Sequence, residues 1–230
     1  LETALDYPDY ENKLYAGNRY HFSIPNPLQT IEAVKKGHYK IIGKVAEDSV
    51  FRGIVLVKAD SPIKTVGDLK GKTVAYPART ALAACLMPQM FFAENGIDVN
   101  KDIKNIFVGT QESAMSAVAL DKADVGVTWP PPWKGFQRNF PDVAKKVKIL
   151  WETPSLVNNS LVVQNEVPEN IIKQVATFFF ELKDSEIGRS LLNEMNYSGF
   201  EPANDKTYDP VRIFLSEFSK KVRPLEGSPQ

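Results

Sequence analysis

Short apolar runs alternate with stretches of helical periodicity along most of the chain. Eight runs predict strands, at residues 20–24, 39–45, 51–58, 72–76, 104–108, 124–128, 147–151 and 156–164. Several are apolar at nearly every position, as in the Gly-Ile-Val-Leu-Val run at 53–57. Such a run is typical of a strand buried on both faces in a parallel sheet. The alternation therefore predicts an α/β protein.

Three predicted strands are each followed directly by the start of a helix. Asn26 follows the first strand, Thr80 follows the strand at 72–76, and Thr110 follows the strand at 104–108. Asn and Thr are favoured N-cap residues because their side-chain oxygens accept first-turn N–H groups. Ligands of open α/β sheets bind at such junctions, where the helix dipole favours anions. These three junctions are therefore candidate parts of a ligand site.

The remainder of the chain is predicted to be more helical. Pro88 is expected to kink the helix after Thr80 or to start a second one. Further helices are predicted to open at Pro168 and Asp209, and the tail from Arg223 is expected to be frayed.

Composition and charge exclude several classes of protein. The 230 residues contain 28 Lys and Arg against 28 Asp and Glu, so no bulk field attracts nucleic acid or an anionic membrane. No apolar run reaches the roughly 18 residues needed to span a bilayer. The single cysteine, Cys85, excludes an internal disulfide and a Cys-rich metal site, and neither of the two histidines has metal-ligand spacing. We expect no nucleic-acid partner, no metal and no cofactor.

Catalytic signatures are also absent from the sequence. The chain has no nucleophile elbow, no P-loop and no dinucleotide-binding glycine motif. Ser61 and Lys64 match a serine–lysine pattern, but Pro62 makes this segment a turn. We therefore expect a binding protein, with an enzyme on the same fold as an alternative. Residues 1–20 show no secretion leader, so the leader of an exported protein would already have been removed.

An ordered set of segments carries a family resemblance. Phe-Arg-Gly-Ile-Val-Leu-Val at 51–57, Asp-Ser-Pro-Ile-Lys at 60–64 and Asp-Leu-Lys-Gly-Lys-Thr-Val-Ala at 68–75 begin it, and 93–98, 122–127 and 199–212 extend it. Together they resemble the phosphate, phosphite and phosphonate periplasmic substrate-binding family. The similarity runs from about Asp6 to about Phe218.

The resemblance implies an α/β, two-lobed type II periplasmic-binding-protein fold with two crossing hinge strands and a ligand cleft between the lobes. Residues 1–58 and 160–230 would form the first lobe, without the family's first strand and helix, and 59–159 the second. The strands at 51–58 and 156–164 would cross between the lobes. The family role implies a monomeric periplasmic protein that closes on a small molecule and hands it to an inner-membrane transporter.

The candidate ligand site departs from the family pattern. At the second junction the family carries a Ser-Thr-Ser-Gly cluster for phosphonate oxygens, whereas this chain has Ala81-Leu82-Ala83-Ala84. Gln111-Glu112 replaces a common His-Asp pair, and the segment from Trp129 to Trp133 replaces a Tyr-Glu pair. A buried phosphonate left without hydrogen bonds would be strongly disfavoured.

The departures indicate an apolar or amphipathic ligand of lipid or sterol type. The expected apolar lining comprises Leu28, Tyr76, Ala81, Leu82, Trp129 and Trp133. The expected polar groups are those of Asn26, Gln29, Arg79, Thr80, Gln111, Glu112, Thr128 and Asn159. Two alternatives remain open: a phosphate- or phosphonate-type oxyanion delivered to an ABC transporter, and a ligand-sensing domain of a membrane receptor.

Overall fold

The computed structural model describes residue 2 and residues 4–225. The chain divides into two compact units, the first formed by Leu1–Phe51 with Leu156–Ile213 and the second by Arg52–Ser155 with the chain from Phe214 onward. The helices are α1 (Tyr7–Tyr15), α2 (Pro27–Lys35), α3 (Met87–Glu94), α4 (Gln111–Ala119), α5 (Pro130–Asn139), α6 (Pro141–Ala144), α7 (Glu169–Glu181), α8 (Glu186–Met195) and α9 (Asp209–Lys221). The strands are β1 (Phe22–Ser23), β2 (Tyr39–Val45), β3 (Ile54–Lys58), β4 (Thr73–Tyr76), β5 (Lys104–Phe107), β6 (Val125–Thr128), β7 (Val147–Glu152), β8 (Ser160–Gln164) and β9 (Phe200–Glu201).

The first unit is built on an antiparallel sheet with strand order β1-β8-β2-β9. A buried cluster of Leu14, Tyr20, Ala33, Tyr39 and Val162 joins α1 and α2 to this sheet. Because β1 and β2 both run antiparallel to β8, the ends of β1 and β2 meet the start of β8 at one edge.

The second unit is built on a mixed sheet with strand order β5-β4-β6-β3-β7. Strands β5, β4 and β6 are parallel, with Val74 paired to Asn105 on one side and to Val125 on the other. Strand β3 is antiparallel to both of its neighbours, β6 and β7. The carboxyl ends of β4, β5 and β6 therefore lie at the same edge, which positions the loops that follow them.

The predicted α/β alternation is present, with two corrections. Each of the eight predicted strands overlaps an observed one; β2 has the predicted bounds, but the first is reduced to Phe22–Ser23. The run at 53–57 is buried as expected, yet β3 is antiparallel rather than parallel. Coverage of both sheet faces, including by Met115 and Val118 of α4, explains the apolar run without fixing the strand direction.

The two compact units group the chain differently from the expected lobes, whose bounds stay a prediction. Strand β3 and residues 214–225 lie in the second unit. Arg223 is not frayed, because its guanidinium donates hydrogen bonds to Gln89 and to the carbonyl of Arg79. Residues 226–230 of the expected tail lie outside the described residues.

Candidate ligand-binding site

The loop after β4 leads into a π-helical turn at the edge where the parallel strands end. The turn spans Leu82–Leu86 and continues into α3, where Pro88 lies in the first turn. The N-cap position belongs to Ala81, which has no side-chain capping bond, so the expectation that Thr80 caps this helix is wrong. The first wide-turn bond runs from the Leu86 N–H to the Ala81 carbonyl at 3.3 Å. The N–H groups of residues 82–84 precede that bond, so the helical ladder supplies them no acceptor.

Arg79 places a cation beside this helix start. Its guanidinium carbon lies 4.6 Å from the centroid of the Phe107 ring, at the end of β5, while the residue remains exposed. Phe107 stacks in turn on Tyr76, with 5.6 Å between ring centroids. Burial raises the pKa of the Tyr76 hydroxyl well above 10.0. Tyr76 is therefore part of the interior of the second unit and packs against the Phe107 ring that Arg79 contacts. Its expected place in the apolar lining stays a prediction.

The start of α4 brings two of the predicted polar residues together. Thr110 caps the helix by accepting the Ser113 N–H at 3.0 Å, as predicted. The buried Thr128 hydroxyl, at the end of β6, donates to Gln111 Oε1 at 2.9 Å. Glu112 occupies the first turn and is exposed. The bond links the end of β6 to the start of α4, which follows β5. The polar side chains of Thr128 and Gln111 are therefore bonded to each other.

The three consecutive prolines after Trp129 begin α5. Trp129 takes the N-cap position and is partly buried. Residues 130–132 have no N–H groups, so this helix start cannot hold an anion through its first-turn backbone. Trp133 packs in a core cluster that includes Ile54 and Phe136, and it is 8% exposed. Its side chain packs α5 on the sheet, and its expected place in the ligand site stays a prediction.

In the first unit, α2 starts with a complete capping box. Asn26 Oδ1 accepts the Gln29 N–H, and Gln29 Oε1 accepts the Asn26 N–H, both at 3.1 Å. The Gln29 amide also donates to Glu11 at 2.9 Å. Both ends of the buried Gln29 amide are therefore bonded within the fold, and its expected role as a ligand group stays a prediction. Three residues of the expected apolar lining are buried. Leu28 of the first unit is 6% exposed, and Ala81 and Leu82 of the second unit are 2% and 1% exposed.

Asn159 is the predicted residue of the first unit with unused bonding capacity. It lies next to the start of α2, because the N–H of the following residue donates to the Pro25 carbonyl at 3.2 Å. Its amide nitrogen lies 3.5 Å from the Tyr197 hydroxyl. Its Oδ1 is buried and has no hydrogen-bond partner among the described residues. A buried amide oxygen of this kind can accept an N–H or O–H group of a ligand.

A side-chain network that the sequence analysis missed holds Asn159 in place. Asp48 accepts the Asn158 N–H at 2.9 Å and the Lys44 ammonium at 2.8 Å. The Tyr208 hydroxyl donates to the Asn158 carbonyl at 2.8 Å. Asn158 lies 110 residues from Asp48 and 50 residues from Tyr208, and the three share no motif, so a single sequence carries no signal that would unite them.

Two searches of the described residues bear on other kinds of site. No group of three or more His, Cys, Asp or Glu side chains in this part of the chain is arranged to hold a metal ion. In the same residues, no helix combines the length and apolar character needed to cross a membrane.

The chain matches a known family over most of its length. A family described as "ABC transporter, phosphonate, periplasmic substrate-binding protein" matches residues 1–208. The chain belongs to this family. Membership confirms the resemblance seen in the sequence.

Individual relatives agree with the family assignment. The chain is 22% identical over 219 residues to the phosphonates-binding periplasmic protein of Escherichia coli (strain K12), covering 91% of this chain and 64% of the relative. The chain spans a little under two thirds of the length of the curated relatives that it matches.

Solved structures establish the fold. A binding-protein component of an ABC phosphonate transporter from Pseudomonas aeruginosa superposes with a TM-score of 0.84 at 19% identity, over 94% of this chain and 74% of the other. PhnD1 from Prochlorococcus marinus (MIT 9301), solved with methylphosphonate, also gives 0.84 at 17% identity, over 94% and 85%. The chain has the type II periplasmic-binding-protein fold predicted from its sequence.

Proposed function

We propose that this chain is the substrate-binding component of an ABC transporter for a small phosphonate- or phosphate-type oxyanion. It would act in the periplasm and hand its ligand to the transporter of the inner membrane. Family membership over residues 1–208 supports this proposal, as does the naming of its relatives as phosphonate- or phosphite-binding proteins.

The observation that carries the ligand class is the helix start after β4. The N–H groups of residues 82–84 precede the first π-helical bond, at the end of the central parallel strand of β5, β4 and β6. Arg79 supplies a cation in the preceding loop. Hydrogen bonds to a charged group contribute about 1.5–3 kcal/mol each. Backbone donors and a guanidinium can therefore perform the task for which the family uses hydroxyl groups.

The oxyanion alternative replaces the lipid- or sterol-type ligand expected from the sequence. That expectation depended on an apolar lining, but Tyr76 and Trp133 pack in the interior of the second unit. It also assumed that the loss of hydroxyl side chains removed the donors, whereas the backbone N–H groups of the π-helical turn are independent of side-chain identity.

Isothermal titration calorimetry with methylphosphonate, phosphate and phosphite tests the proposal. We expect at least one of these to bind to the wild-type chain, and Arg79→Gln to weaken that binding about tenfold, for the loss of one charge-assisted interaction. Arg138→Gln is the matched control, since it removes the same charge from the exposed last turn of α5. The control should change affinity less than twofold. Absence of binding by all three oxyanions to a folded protein would contradict the proposal.

A further inference from the structure

The guanidinium of Arg223 connects the segment after α9 to the loop of the candidate site. Its Nε donates to Gln89 Oε1 at 3.1 Å, and its Nη2 donates to the Arg79 carbonyl at 3.1 Å. The guanidinium carbon also lies 5.3 Å from the ring centroid of Phe218 on α9. One side chain, 144 residues away in the chain, thus holds the backbone of the loop that carries the candidate cation.

The other end of this connection is rigid. Gln89 is only 2% exposed and lies on α3, directly after the π-helical turn. Its amide nitrogen is 3.5 Å from Asn105 Oδ1, and the Asn105 amide donates to the Val99 carbonyl at 2.6 Å. Arg223 therefore fixes the backbone of the exposed residue Arg79 to a buried point of the second unit.

We propose that Arg223 is a positioning residue that holds the loop at 77–81 in its binding-competent conformation. This proposal rests on the proposed function. The loop sets the direction of the Arg79 guanidinium and leads into the N–H groups at 82–84. A loop that is already ordered loses less conformational freedom when an oxyanion binds, so the affinity is higher. Arg223 achieves this through a backbone carbonyl, without contact with the ligand.

A purely structural role for Arg223 makes a different prediction, and Lys221 provides the control. Lys221 also joins the end of α9 to α3, through Glu94 at 3.7 Å, and pairs with Glu217 at 3.3 Å. The ion pairs and hydrogen bonds of Lys221 in the structure do not involve the loop at 77–81. Arg223→Ala and Lys221→Ala both weaken the attachment of α9, but only the first frees the Arg79 carbonyl.

The test combines calorimetry with hydrogen exchange in the full chain. We expect Arg223→Ala to weaken methylphosphonate or phosphate binding about tenfold, as for one lost anchoring bond, and to accelerate amide exchange at 78–86. Lys221→Ala should leave affinity within twofold and exchange at 78–86 unchanged. Arg223→Lys should give an intermediate affinity, because an ammonium lacks the planar fork that reaches both acceptors.

Several results would overturn this role. Wild-type affinity in Arg223→Ala, or equal losses in Arg223→Ala and Lys221→Ala, would do so. If Arg223→Ala does not fold, Arg223→Lys and Arg223→Gln carry the same comparison. If the wild-type chain binds none of the oxyanions, the proposed function fails, and the exchange rates at 78–86 alone decide whether Arg223 orders the loop.

Discussion

The two units present different chemical groups at the ends of their strands. In the second unit, the helix start after β4 has no side-chain cap and offers backbone N–H groups beside Arg79. In the first unit, the start of α2 is closed by the Asn26–Gln29 capping box, and the unsatisfied group is an amide oxygen of Asn159. One edge supplies donors and a positive charge, whereas the other supplies an acceptor.

Under the proposed function, this difference would explain how the loss of hydroxyl side chains is tolerated. Backbone donors depend on where a helix begins and not on which side chains occupy its first turn. At α5, in contrast, the residue type removes the donors, because prolines occupy 130–132. We propose that helix geometry supplies the donors of the second unit, whereas a particular side chain supplies the acceptor of the first unit.

The strand ends of the second unit, with the N–H groups of residues 82–84, form what we call the donor edge. The most damaging change we expect there is Gly53→Ala. A Cβ at Gly53 would lie 2.6 Å from the Ala83 carbonyl oxygen and 2.8 Å from Pro88 Cγ, so the π-helical turn must move. Overpacking of this kind costs about 1–3 kcal/mol, and we expect the upper half of that range because the nearest atom belongs to the backbone. Chemical denaturation measures the stability loss, and methylphosphonate titration should show a parallel loss of affinity.

The matched change at the other edge is Gly43→Ala. Its Cβ would meet Phe180 Cε1 at 2.9 Å and the Glu201 carbonyl oxygen at 3.1 Å. The phenyl ring can rotate away, so we expect a smaller destabilisation and unchanged oxyanion affinity. Equal effects of the two substitutions on affinity would show that the π-helical turn is not part of the donor site.

The strand ends of the first unit, with the Asn159 amide oxygen, form the acceptor edge. Lys44→Met tests the network of Lys44, Asp48 and Asn158 that supports this edge. The Lys44 side chain is 6% exposed, and its ammonium pairs with Asp48 at 2.8 Å and Glu201 at 2.5 Å. Removing it should destabilise the protein by about 1–2 kcal/mol, because the two carboxylates remain partly hydrated. Denaturation with urea measures this difference at neutral pH.

The stability difference between wild type and Lys44→Met should also depend on pH. Burial lowers the pKa of Lys44, but the hydrogen bonds and charges of Asp48 and Glu201 outweigh burial and raise it above 10.5. A raised pKa means that the contribution is complete below 10.5 and is lost as the pH rises through the folded-state value. The stability difference between wild type and Lys44→Met should therefore be constant from neutral pH to about pH 10 and decline above it. A difference that stays unchanged well above 10.5 would contradict the assignment to the Lys44 ammonium.

Asn159→Leu should separate stability from binding. The substitution preserves volume and removes an unsatisfied buried oxygen at the cost of one weak contact with Tyr197, so we expect stability to rise by up to about 1 kcal/mol. Affinity for a ligand with an N–H or O–H group should fall.

Thr128→Val is the counterpart in the second unit, where a satisfied bond to Gln111 is lost and stability should fall by about 1 kcal/mol. Thermal unfolding with and without ligand distinguishes the two, and a destabilised Asn159→Leu would refute the comparison.

Local sequence patterns predict the strands and helix caps of both units. They do not predict the long-range contacts that hold the candidate site residues in place. Apolar runs located every longer strand, and the caps at Asn26 and Thr110 were read from residue type and position. The two-residue β9 has too few positions to show a period. The packing of Trp133 with Phe136 in the core was not predicted, because the proline run hides the helical spacing between them. The bond between Arg223 and Arg79 joins residues 144 positions apart, which no local pattern encodes.

The smallest effect is expected at Asp68, and it extends the comparison of the units to acid pH. Asp68 accepts the N–H groups of Lys64 and Thr65 at 3.0 and 2.8 Å, and these bonds lower the pKa of its carboxyl below 3.8. A lowered pKa gives a contribution that is present above 3.8 and is lost as the pH falls through the folded-state value. The stability difference between wild type and Asp68→Asn should thus shrink below about pH 4 and stay constant at alkaline pH, where that of Lys44→Met declines. Parallel acid and alkaline titrations of both variants by circular dichroism check this, and a shared alkaline dependence would mean that the two units do not differ in the charges that stabilise them.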